Sequence, residues 1–185
     1  MPEKSKRFYR IMNRPLHYLL MFVLFCLLQT FVFERMQLGH FFYPCIYVFF
    51  FLLFPFGYKT LYLLLWSFAM GLCIDMLSAG VWGLHTSASL FLGLFRQGIL
   101  KLVASKEEFG QLTVPGLRTL GYQRYLTFLV IALLIHHGVL FGLETFRFSY
   151  LPLTLLRMLG STMLNGLLII LAQFAFFNPK RNSGN

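Results

Sequence analysis

The stretch MGLCIDMLSAGVWGLHTSASLFLGLFR, Met70 to Arg96, reads as two apolar arms joined by a turn at Ser78-Ala79-Gly80. The arms carry Asp75, His85, the hydroxyls Thr86, Ser87 and Ser89, and glycines at 71, 83 and 93. An acid inside an apolar run is expensive and is kept for a partner or a function. Gly71 and Asp75 are four apart and share a helix face, so the glycine lets a neighbouring helix approach beside the acid.

Around this hairpin the chain is apolar with basic ends. Of its 185 residues 58% are hydrophobic and 12% charged, and mean hydropathy is +0.70. Soluble domains are about 25% charged, so the composition indicates an all-α integral membrane protein. The net charge of +10 then reads as loop charge facing anionic lipid. Nucleic-acid binding would need a polar domain to carry the basic patch, and none is present. Cys26, Cys45 and Cys73 are dispersed in apolar runs and read as small buried hydrophobes.

About six spans fit the pattern, the second short and the last longer than the roughly 20 residues a crossing needs. They run from Leu16 to Phe33, His40 to Phe56, Thr60 to Leu77, Trp82 to Leu102, Tyr125 to Leu143 and Pro152 to Phe177. Gly80 is expected to end the third as a helix C-terminal glycine. No small-residue cleavage site follows the first run, so it reads as a retained helix after a basic N-terminus, 1–15. One membrane domain, 16–177, then contains a polar loop, 103–123, and precedes a polar tail, 178–185. With both ends cytoplasmic, 13 of the 16 Lys and Arg fall inside, Arg96 among them, while Arg35 and Arg147 fall outside.

In this topology Asp75 and Arg157 lie at similar outer depth. Ion pairing is the expected remedy for both charges; separate positions at the outer interface are the alternative. His85, His137 and Glu144 share that half, which leaves room for an outward polar pocket. Gly138-x-x-x-Gly142, Ser89-x-x-x-Gly93 and Thr162-x-x-x-Gly166 offer close helix packing, within the chain or with another. Asn165 can hydrogen-bond across helices. Phe49, Phe50, Phe51, Phe54 and Phe56 cover more than one face and read as lipid-facing, while Trp66 and Trp82 fit an interfacial belt. There is no HExxH, no convincing carboxylate pair and no Ser/His/Asp set, so neither catalysis, metal nor cofactor is expected.

Several of these residues form a familiar set. Gly71-Leu72-Cys73-Ile74-Asp75, Gly80, Trp82-Gly83-Leu84-His85 and Phe95-Arg96, with Leu28-Gln29, Tyr43-Pro44 and Pro55, resemble the rod shape-determining MreD family. Size, charge and span count agree over almost the whole chain; the 103–123 loop and the histidines look particular to this sequence. The resemblance implies a non-enzymatic component of the bacterial inner membrane serving cell elongation and peptidoglycan synthesis. Its partners would be an MreC-like protein, an MreB-type filament, a RodA-type glycosyltransferase and a class B penicillin-binding protein. It also implies a fold similar to the six-helix substrate-binding components of energy-coupling factor transporters. The residues marked for partner binding or structure are Gln29, Pro44, Gly71, Asp75, Gly80, Gly83, His85, Arg96 and Arg157. The competing reading is a small-molecule-binding subunit of an uptake transporter, which needs an enclosed outward pocket.

Overall fold

A computed structural model describes residues 15–36, 39, 41–78, 80–109, 113–145 and 151–177, and within these the chain is helical with no strand. The basic N-terminus to residue 14, Arg147 and the tail 178–185 lie outside the described residues. Helix α1, Pro15–Leu28, continues into a π-helical turn, Gln29–Phe33, closed by Glu34 N–H on the Gln29 carbonyl at 2.9 Å. This wider turn leaves Gln29 and Thr30 both buried. A five-residue helix, α2 (Val48–Leu52), precedes α3 (Thr60–Leu77) and α4 (Leu84–Val103). Two short helices, α5 (Lys106–Phe109) and α6 (Leu117–Leu120), occupy the polar loop, before α7 (Tyr122–Thr145) and α8 (Leu151–Phe177).

Among the described residues four stretches are long and apolar enough to cross a membrane: Leu16–Phe33, Thr60–Leu77, Tyr122–Thr145 and Leu151–Ala175. They mark the chain as a membrane protein. Helix α4 has comparable length, 20 residues, but Arg96, Lys101, His85 and three hydroxyls make it more polar. In sequence order α3 packs on α4 and α7 on α8, and α4 also packs on α7.

The second expected span takes a different form. Between Phe41 and Gly57 only Val48–Leu52 is helical, and every residue from Pro44 to Phe56 is buried. Phe49, Phe50, Phe51, Phe54 and Phe56, read from sequence as lipid-facing, are at most 3% exposed. A segment apolar on all sides suits a protein interior as well as lipid, and here the interior takes it.

One face of α1 lines this segment. Tyr18, Phe22, Phe25 and Gln29 recur at spacings of four, three and four, as a single helix face requires. Tyr18 stacks on Phe54 at 4.8 Å between centroids, Phe22 meets Phe50 at 6.2 Å, and Phe25 meets Phe49 at 6.0 Å. Gln29 reaches Pro44. The segment therefore runs antiparallel to α1 along the core. Trp66 also joins this contact, half-buried against Phe22 and Phe50; Trp82 is 70% exposed.

Candidate functional site: a locked hairpin and a braced interior segment

Asp75, 1% exposed, sits on the last turn of α3 facing the start of α4. A helix start carries amides with no partner in their own helix, and a carboxylate is the natural acceptor for them. Asp75 Oδ2 accepts the amides of Gly83 and Thr86, each at 3.0 Å, and the Thr86 hydroxyl at 2.6 Å. Its Oδ1 accepts the His85 amide at 3.0 Å. Gly83 enters α4 with φ +91°, a left-handed conformation that glycine adopts freely. At Gly71 the two backbones touch: a Cβ there would overlap Thr86 Cα and lie 2.7 Å from the His85 carbonyl oxygen.

The expected Asp75–Arg157 ion pair is not formed. Arg157 pairs with Glu144 at 3.1 Å and lies over the Phe141 ring at 4.8 Å, while Asp75 is satisfied by the hairpin's own backbone. Gly80 does not serve as a left-handed helix cap either: α3 ends through extended Ser78, φ −85° and ψ 155°, and Gly80 lies exposed in the turn.

Irregular backbone inside a membrane protein must find hydrogen bonds among its neighbours. Here side chains from three helices supply them, and a fourth helix holds a side chain of the segment. From α1, Gln29 Nε2 donates to the Pro44 carbonyl at 2.9 Å. From α8, Ser161 Oγ accepts the Tyr43 amide at 3.0 Å, and Asn165 grips the chain twice. Its Oδ1 accepts the Cys45 amide at 2.6 Å and its Nδ2 donates to the Tyr43 carbonyl at 2.8 Å. At the other end, Arg96 from α4 donates to the Leu52 carbonyl at 3.4 Å, to Pro55 at 3.5 Å, and to Phe54. The Leu52 and Phe54 carbonyls lie at and just beyond the end of α2, where a helix runs out of its own donors, and Pro55 also accepts the Tyr58 amide at 3.2 Å. Arg96 is fully buried, so it is an internal brace and not one of the loop charges that orient the chain.

The fourth helix, α7, contributes through Tyr47. The Tyr47 hydroxyl lies 3.1 Å from His85 Nδ1 and 2.5 Å from His136 Nε2. His85 is thus shared: its amide belongs to the Asp75 lock and its ring to the interior segment. Next to His136, His137 Nδ1 meets Thr162 Oγ1 of α8 at 3.1 Å. One buried polar path therefore links α3, α4, the segment, α7 and α8.

A cavity of about 390 Å³ opens beside this path, lined by Thr30, Glu34, Arg35, Tyr43, Ser78 and His85 among others. It contains His85 but neither His137 nor Glu144, which the sequence had grouped with it. Glu34 stands just beyond the first apolar stretch. Burial, and secondarily the charge of Asp75, push its carboxyl up to about 7.

The small-residue motifs divide. Ser89-x-x-x-Gly93 is fully internal, since a Cβ at Gly93 would collide with Ser67 Oγ of α3. Gly138 rests near Met158 of α8, whereas a Cβ at Gly142 would meet nothing within 4 Å. Thr162 is buried and Gly166 faces Leu133 of α7.

Tyr47, Ser161 and His136 were missed as functional positions. The available signal was the pair Pro44 and Pro55 around a phenylalanine run, because proline withholds an amide and interrupts a helix. Comparison with known protein families, curated proteins and solved structures finds no match to this chain.

Proposed function

We propose that this chain is a non-enzymatic scaffold of the bacterial inner membrane, of the MreD kind, working in cell elongation. The observation that carries this is the use of its buried polar side chains. Gln29, Arg96 and Asn165 hold backbone of the 41–56 segment, Asp75 holds the start of α4, and aromatic rings fill the space between. Those groups serve a fixed shape and are not free to convert a substrate. Four positions that carry the family resemblance, Gln29, Pro44, Asp75 and Arg96, take part in this bracing.

In this reading α4 and the interior segment also cross, giving six passes with both termini cytoplasmic and a fold like the energy-coupling factor substrate-binding components. With Val48–Leu52 and its flanking turns rising about 1.5 Å per residue and residues 41–45 up to about 3.3 Å each, the stretch 41–54 reaches roughly 30 Å at most, the hydrocarbon thickness. The outward face of the α3–α4 hairpin exposes Leu65, Phe68, Met76, Trp82, Phe91 and Phe95. It receives the transmembrane helix of an MreC-like protein. The basic cytoplasmic face meets an MreB-type filament or anionic lipid, alongside a RodA-type glycosyltransferase and its class B penicillin-binding partner.

The test is co-purification of the tagged chain, expressed with its neighbouring genes, in mild detergent. An MreC-like protein should remain bound and should be lost when Phe68 and Phe91 on the exposed hairpin face are replaced by Trp. A second reading, a small-molecule-binding transporter subunit, draws on the 390 Å³ cavity with its mixed polar lining. Recovery of an ATP-binding module or a bound metabolite in the same experiment would favour it over the scaffold.

A further inference from the structure

Cys45, His136 and His137 are fully buried, and one donor atom from each lies within 4.8 Å of the other two. They come from the interior segment and from α7, and the scaffold reading above assigns them no metal role. The hydrogen bonds around the two rings differ from those of histidines used only as packing. On His136, Nε2 is taken by the Tyr47 hydroxyl, while Nδ1 is buried with no hydrogen-bond partner. A buried ring nitrogen left in this state carries a desolvation cost.

His137 leads to a similar count. Its Nδ1 is held by Thr162 Oγ1. Its Nε2 lies 3.3 Å from Asn165 Nδ2, but that amide also faces the Tyr43 and Ser161 carbonyls, both at 2.8 Å. An amide has two hydrogens, and the two nearer carbonyls use them. The Nε2 lone pair is therefore left over. Each ring thus has one nitrogen oriented by a hydroxyl and the other vacant, the arrangement that metal-binding histidines require of their surroundings.

We propose that Cys45, His136 and His137 form a binding site for a single soft d10 metal ion, Cu(I) or Zn(II). A thiolate with two imidazoles is a donor set for these ions and not for Mg²⁺ or Ca²⁺. Metal–ligand bonds near 2.0–2.3 Å separate neighbouring donors by roughly 3.5–4 Å, so the three close on an ion with small side-chain rotations. Binding releases the Cys45 thiol proton and forms a sulfur–metal bond, leaving a neutral site with Cu(I) and a singly positive one with Zn(II). Neutrality suits this apolar interior and favours Cu(I). Access is through the cavity, whose wall includes Tyr43, two residues from Cys45, and His85, which shares the Tyr47 hydroxyl with His136.

The experiment uses the full-length chain purified in mild detergent, incubated separately with Cu(I) under a chelator of known affinity and with Zn²⁺, desalted, and assayed for metal by mass spectrometry. About one ion per chain is expected from one or both arms. It should fall at least tenfold in Cys45→Ser and His136→Phe and stay unchanged in Cys26→Ser, which is also buried but not part of this cluster. Thr162→Val keeps the ligands and loosens His137, and should weaken metal affinity by about 10–100-fold. Chromatographic profile and melting temperature report folding of each variant. If Cys45→Ser does not fold, Thr162→Val decides. Absence of stoichiometric metal in both arms, or uptake indifferent to these substitutions in folded protein, overturns the proposal.

Discussion

The Thr86 amide and hydroxyl both end on one oxygen of Asp75, at 3.0 and 2.6 Å. This joins the last turn of one apolar helix to the first turn of the next through a charged acceptor that is 1% exposed. The angle between α3 and α4 is set at that point, with Gly71 removing the side chain that would hold the two backbones apart.

Asp75→Asn keeps the shape but turns an NH₂ group toward donors. Hydrogen bonds to charged groups contribute about 1.5–3 kcal/mol each, so a loss of about 3 kcal/mol or more is expected. It is read as a lowered thermal midpoint in detergent with a cysteine-reactive dye, since Cys26 and Cys45 become accessible on unfolding.

Arg96→Lys should fail despite preserving charge. The guanidinium reaches three carbonyls from a planar fork, and an ammonium on a shorter, flexible stem cannot reproduce this. Arg96→Met takes the donor from Leu52 and Phe54, while Pro55 keeps the Tyr58 amide; two unsatisfied carbonyls at about 1–3 kcal/mol each give an expected loss of about 2–5 kcal/mol. Limited proteolysis near Gly57 and Tyr58 should rise in both variants relative to the parent.

Two glycines predict opposite outcomes for the same substitution. Gly71→Ala meets backbone of α4, which cannot give way, and should cost about 3 kcal/mol or abolish folding. Gly142→Ala meets nothing within 4 Å and should stay within about 0.5 kcal/mol. Side-by-side melts of the two variants check this.

Glu34 predicts the pH profile. Its carboxyl is raised from 4.5 to about 7, so the folded state holds this proton more tightly than the unfolded chain. The contribution is full below about 4.5, declines as pH rises toward 7, and is flat above. Glu34→Gln should remove that decline, so the melting temperature of the parent minus that of the variant falls between pH 4.5 and 7. A difference that stays constant across this range would contradict the assignment.

The long apolar helices were readable because lipid and core make the same demand of their residues. Thr60–Leu77 coincides with the expected third span, bounded by Lys59 and by the turn after Leu77. That equivalence also hid the 41–56 segment, since hydropathy rates a phenylalanine alike against acyl chains and against Tyr18 or Trp66. The cost of burying Asp75 was visible too, but its partners were not. Three of the four are backbone amides, present at nearly every position and distinguished only once a helix begins at Leu84. Arg96 poses the same problem with carbonyls. Cys45 and His136 are too distant in sequence for spacing to pair them.

The interior segment also fixes an order in synthesis. Asn165, which holds the Cys45 amide, lies 120 residues downstream of it. At about 5–20 residues per second, the ribosome supplies that side chain roughly 6–24 s after the segment emerges. Through this interval residues 43–45 lack the side chains that hold their backbone, so α8 is the latch by which the newborn chain closes over its own centre.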